Sequence, residues 1–245
     1  MPGCRYITAA SPEIARAYAQ AYALPLPHVV LNSFPLSQAP DRPTARGTAD
    51  PGPSLYWFSQ VIGPDRGLEC AIKAIARAAS KPHLHLRGHV DEPYAGQLRS
   101  LAQREGVPER LHFLPSALPG ELVRLAAGHD LGLCAEPGHT ANNAFALSNK
   151  LFTYLMAGLP AILSDTPAQR AFAGSHPLAT ALFTAGDAVS LAASLDSLLQ
   201  DPARLAQARA CAFDLAQKTY NWDREGAIVV DLARQALDGS SRRRA

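Results

Sequence analysis

Two basic residues of the sequence stand where a helix is predicted to begin. Arg66 directly precedes the helix predicted over 67–80, and Lys150 lies in the first turn of the helix predicted over 149–157. Because a helix start is locally positive, a cation there costs about 0.3–1 kcal/mol unless an anion lies nearby. Free N–H groups at two helix starts, together with Arg66 and Lys150, suit a bound diphosphate. The alternative is that each cation is an ordinary solvated surface residue.

Glu136 adds a carboxylate at the end of the strand predicted before the second of these helices. In this position it faces the same crevice and can accept hydrogen bonds from sugar or ribose hydroxyls. The alternative is a polar residue that only marks the end of a buried strand. The stretch that follows, "PGHTANNAFAL", contains Gly138, Asn142 and Asn143, which permit tight turns. A loop that contacts a ligand and a plain surface loop are both compatible with it.

These residues are positioned by an alternating series of strands and helices that begins near residue 54. Strands are predicted at 55–60, 84–88, 111–115, 131–136, 160–165 and 181–184. Helices are predicted at 67–80, 92–105, 120–128, 149–157, 168–174 and 187–200. This alternation is typical of βαβ units and predicts an α/β fold with a Rossmann-like, doubly wound parallel sheet. Ligands of such sheets bind at the carboxyl ends of the strands, where Arg66, Glu136 and Lys150 lie.

The two ends of the chain differ from this middle part. Residues 1–32 hold two short strand patterns around one helix, which is too little for a domain, so we interpret them as the remnant of an N-terminal domain. An interdomain linker is predicted at 33–53 and a Rossmann-like domain at 54–200. C-terminal helices are predicted at 201–238, followed by a disordered tail at 239–245.

Charge and hydropathy narrow the class of protein. The sequence has 23 basic and 21 acidic side chains, a net charge of +2, so no general field attracts nucleic acid or acidic lipids. No apolar run approaches the roughly 18–20 residues that span a bilayer and no signal-peptide pattern is present, so we expect a cytoplasmic protein. A peripheral membrane contact stays open as an alternative. Scattered cysteines without metal-ligand spacing are expected to be free thiols, at Cys4, Cys70, Cys134 and Cys211.

Several motifs of other enzyme classes are missing or weak. The sequence has no G-x-G-x-x-G after the first strand of the sheet, no P-loop and no G-x-S-x-G. This argues against a dinucleotide dehydrogenase, a P-loop NTPase and a serine hydrolase. His83, His85 and His89 occupy alternating positions at and just beyond one strand without further ligands, so we do not predict a metal site.

Four stretches, in chain order, resemble a known family. They are "LYWFSQVIGPDRGLECAIKAI", "LHLRG", "ERLHFLPSALPGELVRLAAGHDLGLCAE" and "SNKLFTYLMAGLPAILSD". Together they are similar to the C-terminal, nucleotide-sugar-binding half of GT-B glycosyltransferases, in the large retaining, family-four-like group (glycosyl transferases group 1). The likeness covers roughly residues 54–235. Residues 1–32 resemble the last helix and strand of the family's N-terminal acceptor domain.

The resemblance implies roles for individual residues. Catalytic roles are implied for Glu136, Lys150 and Arg66, the two cations contacting the donor diphosphate. Further donor contacts are implied for Gly63, Gly67, Leu114, Pro115, Ser116, Leu118, Ser148, Asn149 and Thr153. Neither a metal nor a cofactor is expected if cations and helix dipoles neutralise the diphosphate.

Two positions depart from the family pattern. Thr153 stands where the second of two paired glutamates usually touches the ribose, and Val61 stands where the family has a basic residue. Because a hydroxyl cannot replace the contact of a carboxylate, we expect weaker or differently arranged donor binding. The chain also has only the last piece of the acceptor half, which forms the facing wall of the cleft in these enzymes.

The expected function is therefore that of the donor-binding half of a glycosyltransferase of hexosyltransferase type. It would transfer a sugar from a nucleoside diphosphate sugar to an unknown acceptor, in polysaccharide or lipopolysaccharide synthesis. The expected partners are the donor, the acceptor and, unless the chain is a truncated product, a partner chain that supplies the acceptor domain. Two alternatives stay open, namely a non-catalytic nucleotide-sugar-binding or regulatory module and a GT-B sugar-nucleotide epimerase.

Overall fold

The strands and helices follow the alternating pattern of the sequence. In the computed structural model of the chain, residues 4–43 and 52–241 are described, without the side chains of 239–241. Within these ranges the strands are β1 (Thr8–Ala9), β2 (His28–Val29), β3 (Ser54–Val61), β4 (His83–His89), β5 (Leu111–Leu114), β6 (Leu131–Cys134), β7 (Ala161–Ser164) and β8 (Thr180–Phe183). The helices are α1 (Pro12–Tyr22), α2 (Leu68–Arg77), α3 (Glu92–Arg104), α4 (Leu122–Ala126), α5 (Ala141–Phe145), α6 (Asn149–Ala157), α7 (Pro167–Ser175), α8 (Ala188–Leu199), α9 (Pro202–Lys218) and α10 (Trp222–Ser241).

Strands β3 to β8 form one parallel sheet in the order β5-β4-β3-β6-β7-β8. Tyr56 in the central strand β3 is aligned with His85 of β4 on one side and with Gly132 of β6 on the other. The chain builds outward from β3 to β5, returns to the centre with β6, and continues outward to β8. This is the doubly wound, Rossmann-like order, so the predicted fold class is confirmed.

The six strands of this sheet end within one or two residues of their predicted bounds. One helix, α5, is absent from the prediction, which had a loop in its place. The Thr140 hydroxyl accepts a hydrogen bond from the Asn143 backbone N–H at 3.1 Å, and this cap stabilises the short turn of helix. A five-residue helix is too short to show the apolar periodicity by which helices are recognised in a sequence.

Both faces of the sheet are covered by helices. Alternate residues of β3 point to opposite faces, so Trp57 packs in one core and Tyr56 in the other. The Trp57 core receives buried side chains of α2, α3 and α8, and the Tyr56 core receives those of α4, α6 and α7. The central strands β3, β6 and β7 are buried on both faces over most of their length, and their sequences read as largely apolar runs.

The first residues of the chain pack beside this sheet as a small separate unit, in which β1 and β2 pair in parallel next to α1. The start of α10 holds the segment that follows them. The Glu225 carboxylate accepts a hydrogen bond from the Leu31 N–H at 2.8 Å, and the Trp222 N–H donates to the Phe34 carbonyl at 2.9 Å. The beginning of the predicted linker is thus anchored, whereas its residues 44–51 lie outside the described part of the chain.

At the C-terminal end, the last helix is longer than predicted. Helix α10 continues to Ser241, whereas a disordered tail was predicted from 239 onward. The rest of that predicted tail, 242–245, lies outside the described residues. Among the described helices, none combines the length and the apolar character needed to cross a membrane.

Candidate functional site

The order of the strands reverses between β3 and β6, and in open parallel sheets the ligand crevice lies at the carboxyl ends of the strands at this point. The loop after β3 leads to α2 on one face of the sheet, while the loop after β6 leads toward α6 on the other. Because the two loops lead to opposite faces of the sheet, this is the place where ligands of doubly wound sheets bind. We call this place the switch crevice and define it by Gly67, Glu136, Ser148 and Lys150.

Gly67 brings the two loops together. It has a positive φ of 73°, and a Cβ atom added to it would lie 2.4 Å from the Ala135 carbonyl oxygen. Only glycine adopts this conformation readily and allows so close an approach. The loop that carries Arg66 therefore packs directly against the residue that precedes Glu136.

Lys150 forms an ion pair with a carboxylate of the same chain, that of Glu136. Its Nζ atom lies 3.0 Å from Oε1 of Glu136 and 3.2 Å from Oγ of Ser148, and it stands 5.4 Å from the centre of the Trp57 ring. The lysine and glutamate side chains are only 12% and 19% exposed, so this pair is shielded from water. An ammonium group has three N–H donors, and these two partners among the described residues leave one donor for a ligand.

The start of α6 is left without a side-chain cap. Ser148 occupies the capping position with an extended backbone, but its hydroxyl makes no bond to the N–H groups of the first turn. Its Oγ instead accepts a hydrogen bond from Lys150. The helix dipole and the N–H groups that no side chain caps therefore add positive potential beside the lysine, as an anion site requires.

Helix α6 is fixed below this point by Tyr154. Its hydroxyl lies 3.2 Å from the Tyr56 carbonyl oxygen and 3.1 Å from that of Leu133, so it bridges β3 and β6. The ring lies flat on Gly132, where an added Cβ would come within 2.2 Å of it. Lys150, about one turn earlier, therefore stands on a part of the helix that is held against the sheet.

Two residues of the neighbouring β7–α7 segment hold Glu136. The Gln169 amide Nε2 donates to Oε2 of the carboxylate at 2.9 Å, and the Ser164 hydroxyl donates to the Glu136 backbone carbonyl at 2.7 Å. Sequence reasoning missed Gln169. A signal existed, because Gln169 and Phe172 are one helical turn apart and lie on the buried face of α7, where an apolar side chain is expected.

The environment of Glu136 sets its charge. Burial on its own raises the pKa of a carboxyl group, but the Lys150 ammonium and the hydrogen bonds to the carboxylate outweigh it and lower the pKa of Glu136. The folded protein therefore holds this carboxylate ionised through the neutral range.

This pKa shift predicts a pH-dependent contribution to stability. Since the pKa of Glu136 is lowered in the folded state, its contribution is present above the unfolded value and is lost as the pH falls through the folded value. In urea titrations from pH 7 to pH 3, Glu136→Gln should cost up to about 3 kcal/mol at pH 7, and this cost should shrink with acidification. Glu92→Gln is the control, because that side chain is 81% exposed beside Arg99 and should have little effect at any pH. A cost that does not depend on pH would contradict the assigned ion pair.

The structure places the other predicted residues of this loop at the rim. Arg66 is exposed and makes no hydrogen bond or ion pair with any described residue, so its guanidinium is free to meet a ligand. Gly63 is half-buried, with only the Val61 side chain near it. Val61 itself is 49% exposed and offers the crevice no charge, in line with the departure noted in the sequence.

Four of the predicted donor contacts lie at the end of β5 and in the turn that follows it, namely Leu114, Pro115, Ser116 and Leu118. Pro115 and Ser116 are exposed, Leu114 is half-buried, and Leu118 is 71% exposed. Arg87 of β4 supports this turn, donating from Nη1 to the Pro115 carbonyl at 2.8 Å and from Nε to the Tyr56 hydroxyl at 2.9 Å. The turn therefore has an exposed outer surface and a fixed base.

Thr153 does not belong to the surface of the crevice. It is fully buried, and its hydroxyl donates to the Asn149 carbonyl, one turn earlier in α6, at 3.1 Å. The structure thus does not support the predicted donor contact, because the hydroxyl is used within the helix. Asn149, by contrast, is exposed at the helix start, where it was predicted to lie.

Two histidines of β4, His83 and His85, pack with other rings on one face of the sheet. His83 lies 2.9 Å from His112 between ring nitrogens, and His85 stacks on His112 with ring centres 4.6 Å apart. Across the described residues, no group of three or more His, Cys, Asp or Glu side chains has an arrangement that could hold a metal ion.

Comparison with solved structures identifies the fold. HepE from Anabaena, in complex with UDP and glucose, has a TM-score of 0.76 and 18% identity over 98% of this chain and 64% of its own. Sucrose-phosphate synthase from Thermosynechococcus elongatus has a TM-score of 0.77 and 16% identity over 95% and 58% of the two chains. WaaG, a glycosyltransferase involved in lipopolysaccharide biosynthesis, has a TM-score of 0.67 and 14% identity over 86% and 58%.

These similar structures are GT-B glycosyltransferases, and the resemblance noted in the sequence is confirmed at the level of the fold. The chain spans less than two thirds of the length of HepE and of sucrose-phosphate synthase. No protein-family model and no curated protein matches the sequence.

Proposed function

We propose that this chain, which has the fold of a GT-B glycosyltransferase, binds a nucleoside diphosphate sugar in the switch crevice. The observation that carries the proposal is the Lys150 ammonium at the uncapped start of α6, beside the Glu136 carboxylate. A cation at a helix start that no side chain caps suits a diphosphate, and a carboxylate suits sugar hydroxyls. The presence of UDP and glucose in the similar structure of HepE supports the same class of ligand.

In this proposal, Lys150 shares its ammonium between Glu136 and the diphosphate when the donor binds. The ammonium now contacts Glu136, and the third N–H donor allows it to reach a phosphate oxygen. Once the diphosphate shares the ammonium, Glu136 has more freedom to accept hydrogen bonds from the sugar. Arg66, exposed at the rim, supplies a second cation.

The transfer itself needs a stabilised leaving group. As the glycosidic bond to the donor breaks, negative charge grows on the departing diphosphate. Lys150, Arg66 and the N–H groups at the start of α6 would stabilise this charge from fixed positions, so they favour the transition state over the bound donor. Glu136 would hold the sugar in place relative to that leaving group.

An acceptor must come from a part of the enzyme that faces the crevice. Because the chain spans only part of HepE and sucrose-phosphate synthase, we propose that this facing part lies in a partner chain or in a longer form of the protein. Without it, water reaches the crevice and the acceptor is not oriented, so transfer by this chain alone would be slow. For the acceptor we propose a growing polysaccharide or lipopolysaccharide, the latter as for WaaG.

A second candidate is a module that binds the nucleotide sugar without transfer. It is favoured by Thr153, whose fully buried side chain leaves the expected ribose contact unmade. The two candidates differ in turnover. Release of UDP from UDP-glucose upon addition of lipopolysaccharide acceptors supports a transferase, whereas binding without release supports the module.

Calorimetric titration tests the proposal. We expect UDP and UDP-glucose to bind, and uridine, which lacks the diphosphate, to bind at least about 100-fold more weakly, because charge-assisted hydrogen bonds to phosphate dominate. GDP serves to test the base, and EDTA should leave the affinity unchanged. If none of the diphosphates binds, or if uridine binds as well as UDP, the switch crevice is not a donor site.

A further inference from the structure

Gln169 is a buried polar side chain that touches the switch crevice from α7. It is only 1% exposed, and its amide Nε2 donates to Oε2 of Glu136 at 2.9 Å. Lys150 contacts the other carboxylate oxygen, Oε1, at 3.0 Å. The two oxygens of Glu136 are thus held by side chains from two different helices.

The orientation of the amide is fixed by its partner. An ionised carboxylate only accepts hydrogen bonds, so the NH₂ group of Gln169 must face it, and the reversed orientation would place two oxygens in contact. With one oxygen held by Gln169, rotation of the Glu136 side chain breaks a hydrogen bond. The direction of the remaining lone pairs is therefore restricted.

A packing role does not account for an amide at this position. The Oε1 atom of Gln169 is buried without a hydrogen-bond partner among the described residues, and so is the Oγ1 atom of nearby Thr166. An apolar side chain of similar size would fill the same space without an unsatisfied acceptor. The neighbouring inward residues of α7, Ala168 and Phe172, are apolar in this way.

We propose that Gln169 is a positioning residue of the donor site, which keeps the Glu136 carboxylate charged and directed toward the sugar when Lys150 turns to the diphosphate. The role in sugar binding rests on the proposed function. The physical basis is that Gln169 and Lys150 each contact one oxygen of the Glu136 carboxylate. While Lys150 shares its ammonium with the diphosphate, the bond from Gln169 persists. A fixed hydrogen bond thus replaces part of the lost interaction with the ammonium.

The first experiment needs no ligand. The titration of Glu136 is followed by NMR of its side-chain carboxyl carbon in the wild type and in Gln169→Met, which keeps the volume but removes the N–H donor. We expect the pKa of Glu136 to be higher in the variant, since a hydrogen bond to the charged form is lost. Gln217→Met on α9, a half-buried glutamine outside the crevice, should leave it unchanged.

The second experiment measures the gain in affinity that the sugar provides, as the ratio of the dissociation constants of UDP and UDP-glucose. In Gln169→Met we expect this gain to fall by about tenfold, while the affinity for UDP stays within about twofold. Gln169→Asn, which is too short to reach the carboxylate, should behave in the same way, and it serves if the methionine variant fails to fold.

An unchanged pKa of Glu136 together with an unchanged sugar gain in a folded variant would overturn the inference. If the wild type binds no UDP, the proposed function fails, while the NMR titration still decides whether Gln169 controls the charge of Glu136. The two failures are therefore distinguishable.

Discussion

Replacement of Lys150 by methionine is expected to weaken UDP binding by about 100-fold. The ammonium is the cation nearest the uncapped start of α6, and loss of a charge-assisted hydrogen bond to phosphate removes roughly 2–3 kcal/mol. Calorimetric titration measures the effect. The matched control is Lys218→Met on α9, whose side chain is 72% exposed and pairs with Asp214, and which should bind UDP like the wild type.

Lys150 has a structural partner, so its effect on folding must be separated from its effect on binding. Lys150→Met leaves the Glu136 carboxylate shielded from water without its cation, which should cost up to about 3 kcal/mol of unfolding free energy. The double variant Lys150→Met/Glu136→Gln contains no such charge and should recover most of that stability. UDP affinity should not recover with it. A double variant that is stable and binds UDP tightly would show that the lysine acts only on the fold.

Gly67→Ala is expected to destabilise the protein by about 3 kcal/mol or more and to displace the loop that carries Arg66. An alanine at this place has an unfavourable positive φ, and its Cβ would lie 2.4 Å from the Ala135 carbonyl oxygen and 2.8 Å from the Ala135 Cβ. The backbone at Ala135, just after β6, would have to move, and Glu136 is the next residue. Urea denaturation measures the loss of stability, and UDP titration measures the disturbance of the crevice.

Gly106→Ala separates the cost of the positive φ from the cost of the close approach to Ala135. Gly106 has the same φ of 73°, but an added Cβ meets nothing within 4 Å. This variant should lose only the roughly 1–2 kcal/mol that the left-handed conformation costs a residue with a Cβ. Equal losses at the two positions would mean that the close approach to Ala135 contributes nothing.

The sheet and its helices were predictable from sequence because burial on both faces gives a strong pattern. The strand ending at Cys134 reads as an apolar run bounded by turn residues, and so do its neighbours, which leaves little freedom in where a strand can lie. Helix α5 escaped prediction because its stability comes from the Thr140 cap rather than from an apolar face. A single capping residue of this kind is a weak signal in a sequence, because threonine is also common in loops.

The site was predictable in part. A cation in the first turn of α6 indicated an anion, and the structure places Lys150 beside Glu136, both of which the sequence had singled out. Their direct pairing was not foreseen, because the lysine was assigned a phosphate as its partner. A contact between the end of one strand and the start of the next long helix depends on the path of the intervening loop, and no periodicity encodes that path.

Thr153 and Gln169 show that a motif does not determine where a side chain points. Thr153 was expected at the crevice through its place in a motif, but its side chain is fully buried and its hydroxyl donates to the Asn149 carbonyl within α6. Gln169 belongs to no motif and contacts Glu136 from a different helix. Positions in a motif identify an element, whereas the direction of each side chain follows from how that element packs.

The reversal of strand order between β3 and β6 also links ligand binding to the folding of the whole sheet. Gly67 belongs to the half that is built outward to β5, and Glu136 and Lys150 belong to the half that is built outward to β8, so the crevice exists only when both halves are joined. A ligand there binds the native state alone and raises its stability by mass action, by about 2.7 kcal/mol at a concentration of 100 times the dissociation constant. The melting temperature of the intact protein can therefore rank nucleotide sugars as donors before any acceptor is known.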